Sequence, residues 1–465
     1  MVMDTSNTGS HLGENCRLRE QRGWMFYDWA NSAYATTVAA VFLGPTLTEM
    51  ARQAACAQRG LGGEACGDAD NLPLTFLGIT LSYDSWFPYV LGLSILLQVI
   101  VLPVTGAVAD RSRRKTHMLA LFAYIGAVAT MLMYFVADGR FLLGWVLYLV
   151  ANVTFGASIV IYNAFLPEIS APDERDKISA QGWAFGYLGG GLLLLANLAL
   201  FTAHESLGLS KGHAAQISLL SAGLWWALFT LIPVRRLRNH REAASLPDSR
   251  VVSAGFRQLR HTLRGARAYP RTLLFLAAYL LYNDGIQSVI LLSAVYGVYE
   301  LKFEQSTIIV AILLVQFVAF AGALVLGRLA RAFGAKRVVL GSLVLWTLVL
   351  IAAYFLKEGA TGQFFALAAF IGFVLGGSQA LSRSLYSQMI PRGVEAEYFG
   401  LYEISERGTS WLGAVTFATV NELTGSYRAA ILSLVAFFVV GFVLLSSVNV
   451  RRAIVEAGNL PPARV

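Results

Sequence analysis

The chain has 465 residues, 56% of them hydrophobic and only 14% charged, with a net charge of +8 and a mean hydropathy of +0.58. That balance excludes an ordinary soluble protein, in which about a quarter of the residues are charged. Its apolar runs approach or exceed the ~20 residues of a spanning helix, which excludes a barrel of short alternating strands.

Twelve runs are predicted as transmembrane helices: 24–48, 85–108, 116–137, 141–166, 179–203, 215–234, 272–299, 305–327, 338–356, 363–382, 398–422 and 427–448. The first is too long and too polar for a cleaved signal peptide. It carries Asp28 and Asn31 one turn apart, beside Tyr27 and Tyr34, although an acid at mid-membrane costs about 2.5–3.5 kcal/mol on insertion scales. Before it, the polar segment around Cys16 is expected to be disordered. The segment 49–84 that follows contains Cys56 and Cys66, which are expected to be bridged if the loop lies outside the cytoplasm, where oxidation is permitted. Trp24, Trp29 and Trp86 read as interfacial belt residues.

The second run ends in "GAVADRSRRK", with Gly106, Asp110, Arg111, Arg113, Arg114 and Lys115. A glycine lets two helices approach closely, and an acid beside a helix amino terminus is favoured by the dipole; such a latch can close one side of a bundle. Tyr162 and Asn163 near the end of the fourth run are candidate vestibule residues. In the fifth, Gly182, Gly186 and Gly190 form a small-residue stripe, read as helix packing. The Arg-rich segment 235–271 reads as a linker near anionic headgroups.

The seventh run contains Tyr282, Asn283, Asp284 and Gln287, an acid followed three residues later by a carboxamide, as in Asp28 and Asn31. Spacing i, i+3 puts each acid and its amide on one helix face, which must turn toward protein or water. At the end of the tenth run, Arg383 is either a bidentate ligand for a substrate carboxylate or an interface anchor, with Gln379 one turn away. Glu403, Glu406 and Arg407 open the eleventh; Glu403 and Arg407 have the favourable i, i+4 order of a structural ion pair.

Six runs precede the linker and six follow it, and the halves repeat. "GAVADRSRRK" has a counterpart in "GRLARAFGAKR", which keeps Gly334 but has Arg331 in place of the acid; Pro167 and Pro391 match, as do "WAFGYLG" and "EYFGLYE". Parallel repeats imply an axis along the membrane normal, with the binding site between the halves. The expected division is a tail 1–23, a bundle 24–234, the linker 235–271, a second bundle 272–448 and a tail 449–465. With both tails inside, the inner segments hold 28 Lys and Arg against 7 outside, which places both termini in the cytoplasm of a cell (inner) membrane. The net charge is thus topological, and no nucleic-acid partner follows from it.

These features resemble the major facilitator superfamily: two six-helix halves with a basic loop after the second and eighth spans. More narrowly, "YDWANSAY", "YNAFLPEI", "SAQGWAFGYLGGG", "YNDGI", "GGSQALSRSLYSQMIP" and "EYFGLYEISERGTSWLG" resemble the vacuole effluxer family. Fungal members of that family are linked to autophagy and to amino-acid release from the vacuole. The resemblance implies an all-α transporter driven by an ion gradient, with Gly106, Asp110, Arg111 and Arg114 as a cytoplasmic latch and no cofactor. Arg113 departs from the superfamily pattern, where a second glycine is usual.

The expected activity is secondary active transport of a small polar solute, proton-coupled, by a monomer in contact with membrane lipid. Asp284 is the expected proton or substrate-charge site, with Asn283 and Gln287 supplying hydrogen bonds and Asp28 and Asn31 facing them from the first half. The alternative for each acid is a pairing that merely locks the bundle. A lipid translocator of the same fold and a non-transporting receptor are the other functional readings. An enzyme lacks support: the chain has no phosphate loop, no H-E-x-x-H, and its six histidines, His11, His117, His204, His213, His240 and His261, fall at loops or span ends.

Overall fold

A computed structural model describes residues 6–61, 66, 72–137, 140–239, 265–407 and 411–465. Most of the 235–271 linker, with His240 and His261, lies outside them.

The amino-terminal segment forms one long rod: helix α1 (Ser6–Ala33), a π-helical stretch (Tyr34–Phe42) and α2 (Leu43–Gln58). The polar residues before Trp24 are therefore helical rather than disordered. They are tied down where Gln21 Nε2 donates to the Ile169 carbonyl at 2.9 Å and Arg17 pairs with Glu174 at 3.2 Å. The π-helical widening coincides with Thr36, whose hydroxyl lies 2.8 Å from the Ser32 carbonyl and 3.3 Å from that of Gly190. Such stretches are rare in regular helices.

Beyond α2, a hairpin of β1 (Pro73–Phe76) and β2 (Ile79–Ser82) pairs antiparallel, Leu74 opposite Leu81. Its turn uses Leu77 and Gly78 at φ +50 and +79, the left-handed region in which glycine is unpenalised. Cys56 and Cys66 are disulfide-bonded, as expected from the sequence. Phe76 packs edge-on against Trp86, Phe141 and Trp145, and Trp86 stacks on Trp145. Trp86 is thus buried under this hairpin, and Trp24 is wholly buried; neither is a belt residue.

The remaining helices follow in order: α3 (Trp86–Arg111), α4 (Lys115–Leu132), α5 (Phe141–Ile169), α6 (Arg175–Thr202), α7 (Lys211–Arg236), α8 (Pro270–Tyr299), α9 (Gln305–Phe333), α10 (Ala335–Tyr354), α11 (Thr361–Gln388), α12 (Glu395–Arg407), α13 (Leu412–Thr424), α14 (Tyr427–Ser433), α15 (Val435–Ser447) and α16 (Val450–Glu456). Ten helices among the described residues are long and apolar enough to cross a membrane. The first predicted span lies in the Ser6–Gln58 rod, and the eleventh is divided into α12 and α13. Exposed Leu, Val, Ile and Phe cover the outside of the bundles, as a lipid-facing surface requires.

Both tails lie on one face, called here the terminal face. Arg17 meets Glu174, and the Ala463 N–H donates to Asp173 at 2.8 Å, in the same turn between α5 and α6. The carboxyl-terminal tail thus touches the first half while Arg464 holds the Ala332 carbonyl of the second.

Glycine decides the closest helix contacts. A Cβ on Gly106 would overlap the Ala396 carbonyl, so α3 and α12 cross backbone to backbone. Gly182, Gly186 and Gly190 lie against Trp24, Asp28, Ser32 and Thr36. The stripe packs α6 on the first helix, as its spacing suggested.

Candidate functional site

The polar interior is built where α1, α5, α6, α11 and α12 converge. Asp28 is buried, and its Oδ2 accepts from Tyr162 Oη at 2.8 Å and from Arg383 Nη2 at 3.1 Å. Arg383 spends its fork on several partners: Nε donates to Ser179 Oγ (2.9 Å), Nη1 to Asn163 Oδ1 (3.3 Å) and Nη2 also to the Ser179 carbonyl (3.0 Å). The aromatic faces of Trp24, Trp183 and Tyr162 stand 4.7, 5.4 and 5.6 Å from its guanidinium carbon. Stacking suits guanidinium, which is planar and weakly hydrated.

Asn163 carries the network onward. Its Nδ2 donates to Glu403 Oε1 at 3.0 Å, and Arg407 Nε donates to Glu403 Oε2 at 3.0 Å. The expected Glu403–Arg407 ion pair is therefore formed, and Arg407 also lies over the Phe155 ring at 4.9 Å. Asp28, Tyr162 and Asn163 belong to the first half, and Arg383, Glu403 and Arg407 to the second. Charged groups this deep survive only when paired and hydrogen-bonded. Tyr34 packs against Phe155 and Trp226, and Tyr27 against Tyr162. Asn31 is buried with its Nδ2 unpartnered among the described residues.

Asp284 lies elsewhere. Its Oδ2 accepts from the Gly413 N–H of α13 at 2.7 Å, while Asn283 Nδ2 donates to the Glu406 carbonyl at 3.2 Å and Tyr279 Oη to Glu406 Oε2 at 3.1 Å. Tyr282 Oη meets Ser382 Oγ at 2.6 Å. Asp28 and Asp284 are both buried, but each is engaged by different helices. Their depths explain it. Arg383, the partner of Asp28, is five residues from the terminal-face end of α11, roughly 8 Å, whereas Asp284 is fourteen residues into α8, roughly 21 Å. Gln287 is half-buried and makes no side-chain hydrogen bond among the described residues. Ser288, at i+4, takes the place beside Asp284 expected of Gln287.

Asp110, a candidate latch residue, reaches the other half. Asp110 Oδ1 and Oδ2 accept from the Ala396 and Glu397 N–H groups at 3.0 and 2.8 Å, capping the start of α12 from the other half. Lys115 turns back to Glu168 at 2.8 Å, and Arg113 and Arg114 are exposed. Arg111 is half-buried. Further contacts join the halves toward the terminal face: Arg175 Nη1 to the Ser387 carbonyl (2.8 Å), Ser179 Oγ to the Ala380 carbonyl (2.6 Å), and Ser384 to Asp176. These contacts hold the two halves together toward the terminal face.

Three contributors to the site went unrecognised in the sequence. Tyr187 Oη donates to Gln379 Oε1 at 2.9 Å, Ser179 receives Arg383, and Trp183 covers it. They are spaced by four in α6, one stripe beside the glycine stripe, and that periodicity was available in the sequence.

The fold and the residues agree with what the chain resembles. The family model for vacuole effluxer Atg22-like proteins matches residues 17–458. An uncharacterised MFS-type transporter of Bacillus subtilis, YxiO, is 29% identical over 92% of this chain and 95% of its own length. Autophagy-related protein 22-1 of Penicillium rubens is 24% identical over 97% and 94%. Among solved structures, an outward-facing bacterial homologue of the iron transporter ferroportin superposes with a TM-score of 0.63 at 13% identity, over 93% of this chain and 98% of that one. The Escherichia coli fucose:proton symporter gives 0.62 at 12%, over 92% and 97%. Two pseudo-symmetric six-helix bundles, spanning helices and a family match across nearly the whole length lead to one conclusion: this chain is a multi-pass MFS-type membrane transporter belonging to the vacuole effluxer Atg22-like family.

Proposed function

We propose that the protein exports a small zwitterionic solute of the amino-acid kind, coupled to protons, by rocking its halves about the buried network. What supports this is one observation: Asp28, Arg383, Asn163 and Glu403, all buried, and the half-buried Arg407 form a continuous chain that crosses from one half to the other. A free amino acid presents an ammonium and a carboxylate. Glu403 and Arg407 offer the opposite charges one turn apart on α12. A solute that competes for them loosens the Glu403–Asn163 bond across the interface, so binding biases the equilibrium between closed and open terminal sides.

The proton belongs on Asp284. Asp28 and Glu403 each face an arginine, and protonating either sacrifices an ion pair. Among the described residues Asp284 has no ion pair, so it can gain or lose a proton without breaking one. The excess of positive charge supports a cytoplasmic terminal face and a cell (inner) membrane location, and one chain supplies both halves, so a monomer suffices.

Purified protein in proteoliposomes, given a panel of labelled amino acids and an imposed pH gradient, tests this. At least one zwitterion should accumulate and be released by a protonophore, and Glu403→Gln or Arg407→Lys should lower the rate about tenfold or more, the scale of one lost charged hydrogen bond. Movement of labelled phospholipid with no amino acid moved would overturn the solute assignment. Accumulation indifferent to the gradient would overturn the coupling.

A further inference from the structure

The eleventh spanning segment is held by two aspartates, one at each of its amino-terminal starts. Asp110 caps α12 from the opposite half. Asp284 does the same for α13, whose first residue is Leu412 with Trp411 at the N-cap position. Gly413 is the second residue of that helix, and N–H groups in a first turn have no acceptor within their own helix. The 2.7 Å bond to Asp284 Oδ2 therefore supplies a partner from another helix, with a negative charge placed where the dipole favours it.

The neighbouring residue acts on the other side of the junction. Asn283 Nδ2 donates to the carbonyl of Glu406, in the last turn of α12 and next to Arg407. One turn earlier on α8, Tyr279 holds the Glu406 carboxylate. Adjacent residues of α8 thus grip the end of α12 and the beginning of α13. Two buried acceptors remain open: Asp284 Oδ1 and Ser288 Oγ have no hydrogen-bond partner among the described residues, and their residues are 1% and 0% exposed. A Cβ on Gly413 would overlap Ser288 Oγ and stand 3.2 Å from Asp284 Oδ2, so the three groups converge on one small space.

We infer that Asn283 and Asp284 are positioning residues that tie the end of α12 and the start of α13 to α8, so that protonation on α8 frees the start of α13. This rests on the assignment of the proton to Asp284. A proton arriving on the unpartnered Oδ1 leaves the carboxyl group neutral. The bond from Gly413 then loses its charge assistance, which accounts for about half the strength of such a bond. The start of α13 is released relative to α8, while Asn283 and Tyr279 keep the end of α12 in place. Among the described residues, the titratable side chains on the elements around Asp284 include Tyr279 and Tyr282 on its own helix and Glu406 on α12. Phe437 and Phe438 of the last span pack beside Gly285. Glu406 is the competing acid.

Hydrogen exchange of the full-length protein in nanodiscs reads the cap without needing a solute. Peptides covering 401–424 are compared between pH 5 and 8, after correction for intrinsic exchange, in wild type, Asp284→Asn, Asp284→Ala and Glu406→Gln. In wild type the amides of 412–415 should lose protection at the acid end. Asp284→Asn retains a neutral acceptor oxygen, as the protonated acid does, and should show the reduced acid-end protection at every pH, with no pH dependence. Asp284→Ala should exchange about tenfold faster at every pH, the scale of one lost cap. Glu406→Gln should keep the wild-type profile. A wild-type pH profile in Asp284→Asn, or a lost one in Glu406→Gln, overturns the proposal; so does unchanged exchange in Asp284→Ala. If the exchange pattern holds but no amino acid is transported, only the solute assignment falls.

Discussion

Arg383 shows how a charge is kept inside this protein. Four hydrogen bonds from its guanidinium reach a carboxylate, an amide, a hydroxyl and a carbonyl, and three aromatic faces enclose it. A buried pair is poor evidence for net stability, but breaking one partner leaves an uncompensated charge at a cost of about 3–5 kcal/mol. Arg383→Gln and Asp28→Asn should therefore each lower the melting temperature in nanodiscs, and the double variant should recover part of the loss. Strictly additive losses would show that the two side chains do not depend on each other. Little of this was legible in the sequence. The acid and the arginine stood out as ionisable groups in apolar runs, but they are 355 positions apart, and nothing local records which helices will meet. Depth was equally hidden: the repeat aligned Asp28 with Asp284 by motif, whereas the packing sets one near the terminal face and the other mid-span.

At the scale of elements, length and hydrophobicity were enough to mark the spans, because a bilayer demands ~20 apolar residues whatever the fold. The helical extension before Trp24 escaped notice because its order comes from Gln21 and Arg17 reaching the α5–α6 turn, a tertiary effect. The division between α12 and α13 escaped for a similar reason, since the partners of its ends are side chains of α8. The glycine contacts are the most direct element-level test. Gly106→Val forces α3 away from α12, at an overpacking cost of about 1–3 kcal/mol. With a Ser384→Cys reporter on a Cys16→Ser background, alkylation from the terminal face should rise roughly tenfold, the scale of that penalty. Unchanged labelling would mean that the crossing tolerates a side chain and does not control closure.

For the whole molecule, the contacts between halves toward the terminal face behave as a set. Asp110 with α12, Arg175 with Ser387, and Asp176 with Ser384 must all separate if the halves rock. A disulfide between Asp176→Cys and Ser384→Cys, again without Cys16, should stop net transport when oxidised and restore it when reduced. Transport that continues through the crosslinked protein would rule out rocking about this interface.

The hairpin opposite the terminal face bears on how such motion can be watched. Among the described residues its anchors belong to the first half: Gln58 Nε2 and Oε1 bond the Thr75 carbonyl and N–H, Trp86 Nε1 donates to the Leu74 carbonyl, and Cys66 is bonded to Cys56. It therefore offers a rigid epitope on one moving body. A nanobody raised against its exposed tip at Leu77–Gly78 would serve as a fiducial for particle alignment, riding with the first half through the cycle. Transport rates with that nanobody bound should match those without it.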